Sequence, residues 1–394
     1  MNDWAVIIVI YLIVFISGPL IAILHELGHA FAYLLLTKPD KIDIYIGSYR
    51  LEKNAIQFKT GKLHFYIKRS FPFVKGIGLC KSYKAEEDYL KYIIILLAGS
   101  FFTFFSAGIL ALIVFNSGAQ LLVQIACYVF LGFSALSLLS NLVSRELSKS
   151  YTNNLESDGK QLLFTLKIKN ARPDYVEALQ DIAKKEYAAA IVKLKHVLAV
   201  DPRNTDILRL LIITSLDGKQ YDETANAITT IESINELSTD SLFYKGCLQS
   251  HTHQHDEAIT SFSEVIKKNK NHILALNNIG YELIEKSAHQ VAKRALDRAI
   301  KLSPEFDHPY SNLGYSKIVQ GELVDGKALI DKCLQLNVNN ANAYKALALY
   351  YLRLKNLDLA KTNIDKAIGL AADVDLDTYN RELKLLQEEV DLHD

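Results

Sequence analysis

From about residue 171 the chain repeats itself every 34 residues without a gap. Every 34th position from Ala190 reads Ala190, Thr224, Ala258, Ala292, Gly326 and Ala360, all small. Four residues further on, the same step gives Leu194, Ile228, Phe262, Leu296, Ile330 and Ile364, all large and apolar. Columns four apart share one helix face, so each unit offers a small residue where helices cross and a large one beside it. Gly246, Gly280, Gly314 and Ala348 form a third column at a close helix crossing, and Pro202 and Pro304 recur at unit ends. A helix pair of this length cannot bury its apolar face alone. Stacking against its neighbours does so, which makes this half an α-solenoid.

The columns resemble the tetratricopeptide pattern, which implies six repeats over 171–374 and an amphipathic capping helix over 375–394. The resemblance implies a concave groove for a peptide or protein partner and no chemistry of its own. His251, His253 and His255 fall in a turn of the third repeat and read as polar loop. Cys127, Cys247 and Cys333 read as core.

The half before residue 143 has a different character. Trp4–Leu36 is nearly unbroken apolar sequence and as a helix runs about 50 Å, more than the ~30 Å hydrocarbon core, so it must tilt, kink at Gly18-Pro19 or project. Two further runs, 92–115 and 119–142, are each long enough to span, joined at Asn116-Ser117-Gly118. A cleaved signal peptide fits poorly, because Met1-Asn2-Asp3 has no basic residue. The fold class expected is an all-α membrane protein: three transmembrane helices (about 4–36, 92–115 and 119–142) with a small β-rich cytoplasmic loop, followed by the solenoid. Lys38, Lys41, Arg50, Lys53, Lys59, Lys62, Lys68 and Arg69 crowd the loop 37–91. The positive-inside rule therefore puts that loop and everything after 143 in the cytoplasm and the N-terminus outside. The localisation expected is a multi-pass protein of a bacterial cell membrane. Within the loop, 42–46, 55–58 and 63–67 alternate like strands, and the Gly-rich apolar stretch 71–78 is short enough only to dip into the interface. The 44 Lys+Arg balance 44 Asp+Glu, which excludes a nucleic-acid binder acting through a basic field. Four dispersed cysteines without a C-x-x-C pair exclude a disulfide scaffold and a zinc ribbon.

Inside the first apolar run stands Leu24-His25-Glu26-Leu27-Gly28-His29-Ala30. One turn apart on one helix face, His25 and His29 reach one metal ion, and Glu26 stands near enough to act on a water without being a ligand: the H-E-x-x-H arrangement of zinc hydrolases. Ionisable groups are costly in a membrane and usually serve a function there. Zinc hydrolases use three protein ligands. The best third candidate is Asp158, followed by Gly159 at the start of a helix-like stretch; Glu156 is a weaker one, and Asp158 as a simple helix cap is the alternative. The first and third spans both exit to the cytoplasm, so Asp158 returns to the depth of the two histidines.

Residues 1–168 resemble the site-2 protease family of intramembrane zinc metalloproteases, on the strength of HELGHA in the first span and Asp158-Gly159 after the third. The resemblance implies that His25, His29 and Asp158 hold Zn2+, that Glu26 is the catalytic base, and that the substrate is a transmembrane or membrane-proximal segment of another membrane protein. The family's Gly-Pro-x-x-Asn is absent from Ala98-Gly99-Ser100-Phe101-Phe102-Thr103, leaving Asn141 or Asn153 for a polar substrate contact. The expected function is intramembrane proteolysis in the lipid bilayer, with the repeats recruiting substrate or a regulator. The alternative is an inactive membrane-anchored repeat scaffold.

Overall fold

The computed structural model describes residues 3–49, 54–69, 78–83, 86, 88–143, 146–148, 155–234, 237–371 and 380. Asn153, the apolar stretch 71–77 and, apart from Asn380, the expected capping helix over 375–394 lie outside the described residues. The chain divides into two compact units, Met1–Ile207 and Leu208–Asp394.

The first unit opens with α1 (Asp3–Leu36), one helix that carries Pro19 in its interior. Helices α2 (Tyr89–Asn116) and α3 (Leu121–Leu142) follow. The segment Phe15–Leu36 of α1 and the whole of α2 and α3 are long and apolar enough to cross a membrane. The Asp88 side chain caps α2 by accepting from Leu90 and Lys91 N–H. Ser117 ends it, and Gly118 turns the chain with φ +69°.

Between α1 and α2 lies a four-stranded sheet: β1 (Ile42–Ile46), β2 (Ile56–Thr60), β3 (Leu63–Ile67) and β4 (Gly78–Ser82), in the order β2-β3-β1-β4. The β2–β3 hairpin turns at Gly61, and β3 then lies parallel to β1. Ile42, Ile44 and Ile46 are buried and pack with Ala30 of α1, so the period-2 alternation read from the sequence is the alternation of a half-buried sheet. Strand β4, which the sequence reading missed, pairs antiparallel with β1. Its residues Gly78-Leu79-Cys80-Lys81-Ser82 carry too little β-branched or aromatic character to signal a strand by themselves.

After α3 a short ladder pairs β5 (Glu146–Ser148) with β6 (Leu155–Glu156). Helices α4 (Asp158–Lys167), α5 (Arg172–Ala183) and α6 (Tyr187–Val200) come next. Ile168 and Ala171 are at most 1% exposed, so this compact unit continues through α5 and α6, past residue 168.

Helices α7 (Thr205–Asp217) to α16 (Leu357–Leu370) follow in sequence as five more pairs, six with α5–α6 among the described residues. The small column at 190, 224, 258, 292 and 360 is 0% exposed, and the large column from Leu194 to Ile364 is 5% exposed at most. A Cβ on Gly246 would meet the Phe262 ring at 2.6 Å, so that crossing admits only glycine without a shift; Gly280 on Leu296 and Gly314 on Ile330 repeat it. Each pair turns through one left-handed residue: Lys185, Lys219, His253, Ser287, Gly321 and Lys355, with φ between +56° and +85°. His253 is thus a hairpin-turn residue, equivalent to lysines elsewhere in the array. All four cysteines are free, with Cys127 and Cys333 buried.

Candidate metal centre

Helix α1 brings His25 and His29 to one face, and their rings meet edge to face at 4.6 Å between centroids. Asp158 closes the group. His25 Nε2 lies 3.1 Å and His29 Nε2 3.4 Å from Asp158 Oδ2, and the two Nε2 atoms are 3.0 Å apart. A tetrahedral zinc site with bonds of ~2.0–2.1 Å has edges of about 3.3–3.4 Å, so the three donors stand close to the spacing that one ion requires.

The protonation pattern also fits a cation. His29 Nδ1 is 2.7 Å from the Ile95 carbonyl, which can only accept, so Nδ1 carries a proton, and in the neutral ring the Nε2 lone pair faces the centre. The Asn141 side-chain amide lies 3.5 Å from His25 Nδ1 and also bonds Ser137. With its oxygen turned to the ring, that amide would orient His25 in the same way.

Asp158 owes its position to its neighbours. Ser157, not Asp158, is the N-cap of α4: its hydroxyl accepts from Lys160 N–H at 3.3 Å and donates to the Val143 carbonyl at 2.9 Å. The Asp158 carboxylate is therefore free to face the histidines. A Cβ on Gly159 would fall 2.3 Å from the Leu142 carbonyl, so glycine is what lets α4 start against the end of α3. Burial by itself would raise the Asp158 pKa, but the His29 and His25 imidazoles outweigh it and hold the carboxyl well below the usual range.

Gly99 plays the corresponding part on α2, where a Cβ would come 2.5 Å from His29 Nε2. Glu26 is 6% exposed, lies against Gly78 of β4, and accepts from the Cys80 backbone N–H. Sequence reasoning named His25, Glu26, His29, Asp158 and Asn141. It missed the Ile95 carbonyl, Ser157 and the Cys80 amide, of which only Ser157, as Ser-Asp-Gly ahead of a helix, left a trace in residue types.

The tetratricopeptide repeat family matches residues 341–374. A Drosophila melanogaster protein described as "BBSome complex member BBS4 homolog" is 22% identical over 220 residues, 55% of this chain and 45% of that protein. The chain thus spans less than half the length of this curated relative. Among solved structures, the type IV pilus biogenesis factor PilW aligns over 55% of this chain and 98% of its own, at 17% identity and a TM-score of 0.44. MamA from Desulfovibrio magneticus RS-1 aligns over 43% of this chain and 97% of its own, at 18% identity and a TM-score of 0.35. The repeat match over 341–374 and the recurring helix pairs support a tetratricopeptide array in the latter half, and such repeats generally bind peptide or protein partners.

Proposed function

We propose that the chain is a membrane-embedded zinc endopeptidase that hydrolyses peptide bonds in or near transmembrane segments of other membrane proteins, while its repeats hold a substrate or regulator in the cytoplasm. The observation that carries this is the convergence of the His25, His29 and Asp158 donor atoms to spacings close to the edges of a zinc tetrahedron, beside a buried Glu26. Zinc held there would polarise a scissile carbonyl and acidify a water. Glu26 takes the proton of the attacking water and delivers it to the leaving amine. The Cys80 N–H aims the Glu26 carboxylate, and the Ile95 carbonyl keeps His29 in its ligating tautomer.

A helical substrate hides its amides in its own hydrogen bonds and must unwind before it is cut. The unwound stretch pairs with β4 rather than β1, because β1 is enclosed by β3 and β4, whereas β4 is an outer strand among the described residues and begins beside Glu26. The three apolar helices and the basic loop 37–91 support an N-terminus outside the membrane with the loop and repeats in the cytoplasm. The test is the metal content of the purified full-length protein beside His25→Ala. One zinc per chain in the wild type and none in the variant supports the reading; a wild type that takes up no zinc sinks it.

The repeat-family match favours a second reading, an inactive membrane-anchored scaffold for protein–protein interaction. Under it, Glu26→Gln would leave every function of the chain unchanged.

A further inference from the structure

Asp158 begins α4, and α4 is fastened by side chains that take no part in the metal site. Tyr92 Oη donates to Gln161 Oε1 at 2.9 Å. Gln161 follows Asp158 by three residues, one turn along the same helix face. The Tyr92 ring in turn carries the Arg172 guanidinium, whose Cζ lies 3.7 Å from the ring centroid. Arg172 Nη2 donates to the Glu86 carbonyl at 2.9 Å, just ahead of α2. Phe164 of α4 meets Tyr175 of α5 edge to face at 5.1 Å, and Lys160 pairs with Asp206 at 3.0 Å.

Arg172 is the first residue of α5, the helix that opens the repeats, and is 4% exposed. Its Nε has no hydrogen-bond partner among the described residues. A buried cation with an unsatisfied N–H is an expensive way to fill space, and an apolar side chain of similar volume is often at least as stable. What the guanidinium does supply is position. It clamps the Tyr92 ring from one side while the Tyr92 hydroxyl holds α4 on the other.

We infer that Arg172 is a positioning residue for Asp158, and that through the chain Arg172–Tyr92–Gln161 the first repeat hairpin, α5–α6, acts as a regulatory lever on the metal centre. The inference rests on the zinc reading above. The Asp158 carboxylate stands 3.1 and 3.4 Å from its two partners, so a shift of α4 by a fraction of an ångström opens the third corner. A protein partner that moves α5 would thereby loosen or tighten the site without touching it.

The test uses the full-length protein in detergent micelles, stripped of metal and titrated with Co2+, whose visible absorption reports coordination number as well as affinity. Arg172→Met, which keeps volume and loses the planar charge, is expected to weaken Co2+ binding about tenfold and to reduce the four-coordinate absorption, with thermal stability unchanged or raised. Tyr92→Phe keeps the ring under Arg172 and loses the hydroxyl that bonds Gln161 and the Arg172 side chain; a smaller loss in the same direction is expected. Arg172→Lys restores the charge without the planar stack and should recover only part of the affinity. Wild-type affinity and spectrum in both Arg172→Met and Tyr92→Phe would overturn the inference. Should Arg172→Met fail to fold, Tyr92→Phe decides alone. Asp158→Ala is the control that separates the two claims. If it loses the metal while Arg172→Met and Tyr92→Phe do not, only the lever falls; if it leaves Co2+ binding intact, the zinc reading falls and takes the lever with it.

Discussion

His29 Nδ1 and the Ile95 carbonyl are joined by a 2.7 Å hydrogen bond that spans 66 residues of sequence. It does two things. It seats α2 against α1, and it decides which nitrogen of His29 faces Asp158. The same stretch of α2 contributes Gly99, whose missing side chain leaves room for the imidazole.

Gly99→Ala should therefore act on the metal site more than on the fold. The added Cβ would stand 2.5 Å from His29 Nε2, so the ring must turn away from the other two donors. Metal content should fall by an order of magnitude or more, while the thermal transition of the repeats stays where it is in the wild type. Elemental analysis beside a melting curve reads both.

Glu26→Gln should abolish peptide cleavage, by about 10²–10⁴-fold, and leave zinc bound. The amide keeps an oxygen to accept from the Cys80 N–H, so the strand that rests on it is not released. Single-turnover cleavage of a transmembrane peptide, measured beside metal content, checks this. Loss of zinc together with folding would make Glu26 structural instead.

Asp158→Ala and Glu156→Ala should differ sharply. Asp158 stands at the centre, whereas the Glu156 backbone belongs to the β5–β6 ladder, opposite Glu146. Removing Asp158 leaves two imidazoles and should lower zinc affinity by orders of magnitude and stop cleavage. Glu156→Ala should leave both within a factor of two. A competitive titration against a chromophoric chelator measures the affinities.

How much of this could be read beforehand varies with the physical origin of each feature. Side-chain periodicity is written in the residues, so the columns beginning at Ala190 and Leu194 foretell the helix pairs directly. His25 and His29 follow from one helical turn. Asp158 is harder, because it lies more than 120 residues away, and in the sequence only the expectation that two apolar runs exit on one side points back to it. Backbone groups leave no such trace. Nothing about isoleucine announces that the carbonyl of Ile95 orients a histidine, or that the amide of Cys80 holds a glutamate. The parallel pairing of β1 with β3 also escapes a strand-by-strand reading, since it arises only when β2 runs back along the outer side.

His272 gives the second unit an acid-sensitive point. It is 1% exposed, caps α11 (Ile273–Glu285) by accepting from Ala275 N–H at 3.1 Å, and burial lowers its pKa to about 4. The unfolded chain takes up this proton near pH 6.5, the folded chain only near pH 4, so stability falls as pH drops through that window and levels off below it. Between pH 6.5 and 5 the loss should be on the order of 1–2 kcal/mol. His272→Asn keeps a capping acceptor and removes the titration, so urea melts at pH 7 and 5 should lie closer together than in the wild type.

The left-handed turn that recurs from Lys185 to Lys355 makes the repeats interchangeable parts. Joining His253 directly to Ala288 excises 34 residues and connects one hairpin tip to the start of an equivalent helix, so Gly246 would face Leu296 where it now faces Phe262. Every crossing downstream stays in phase, because the cut removes one full period of the small and large columns. Evolution, or an engineer, can thus set the length of the array in whole steps of one helix pair while every crossing still sets a small residue against a large one.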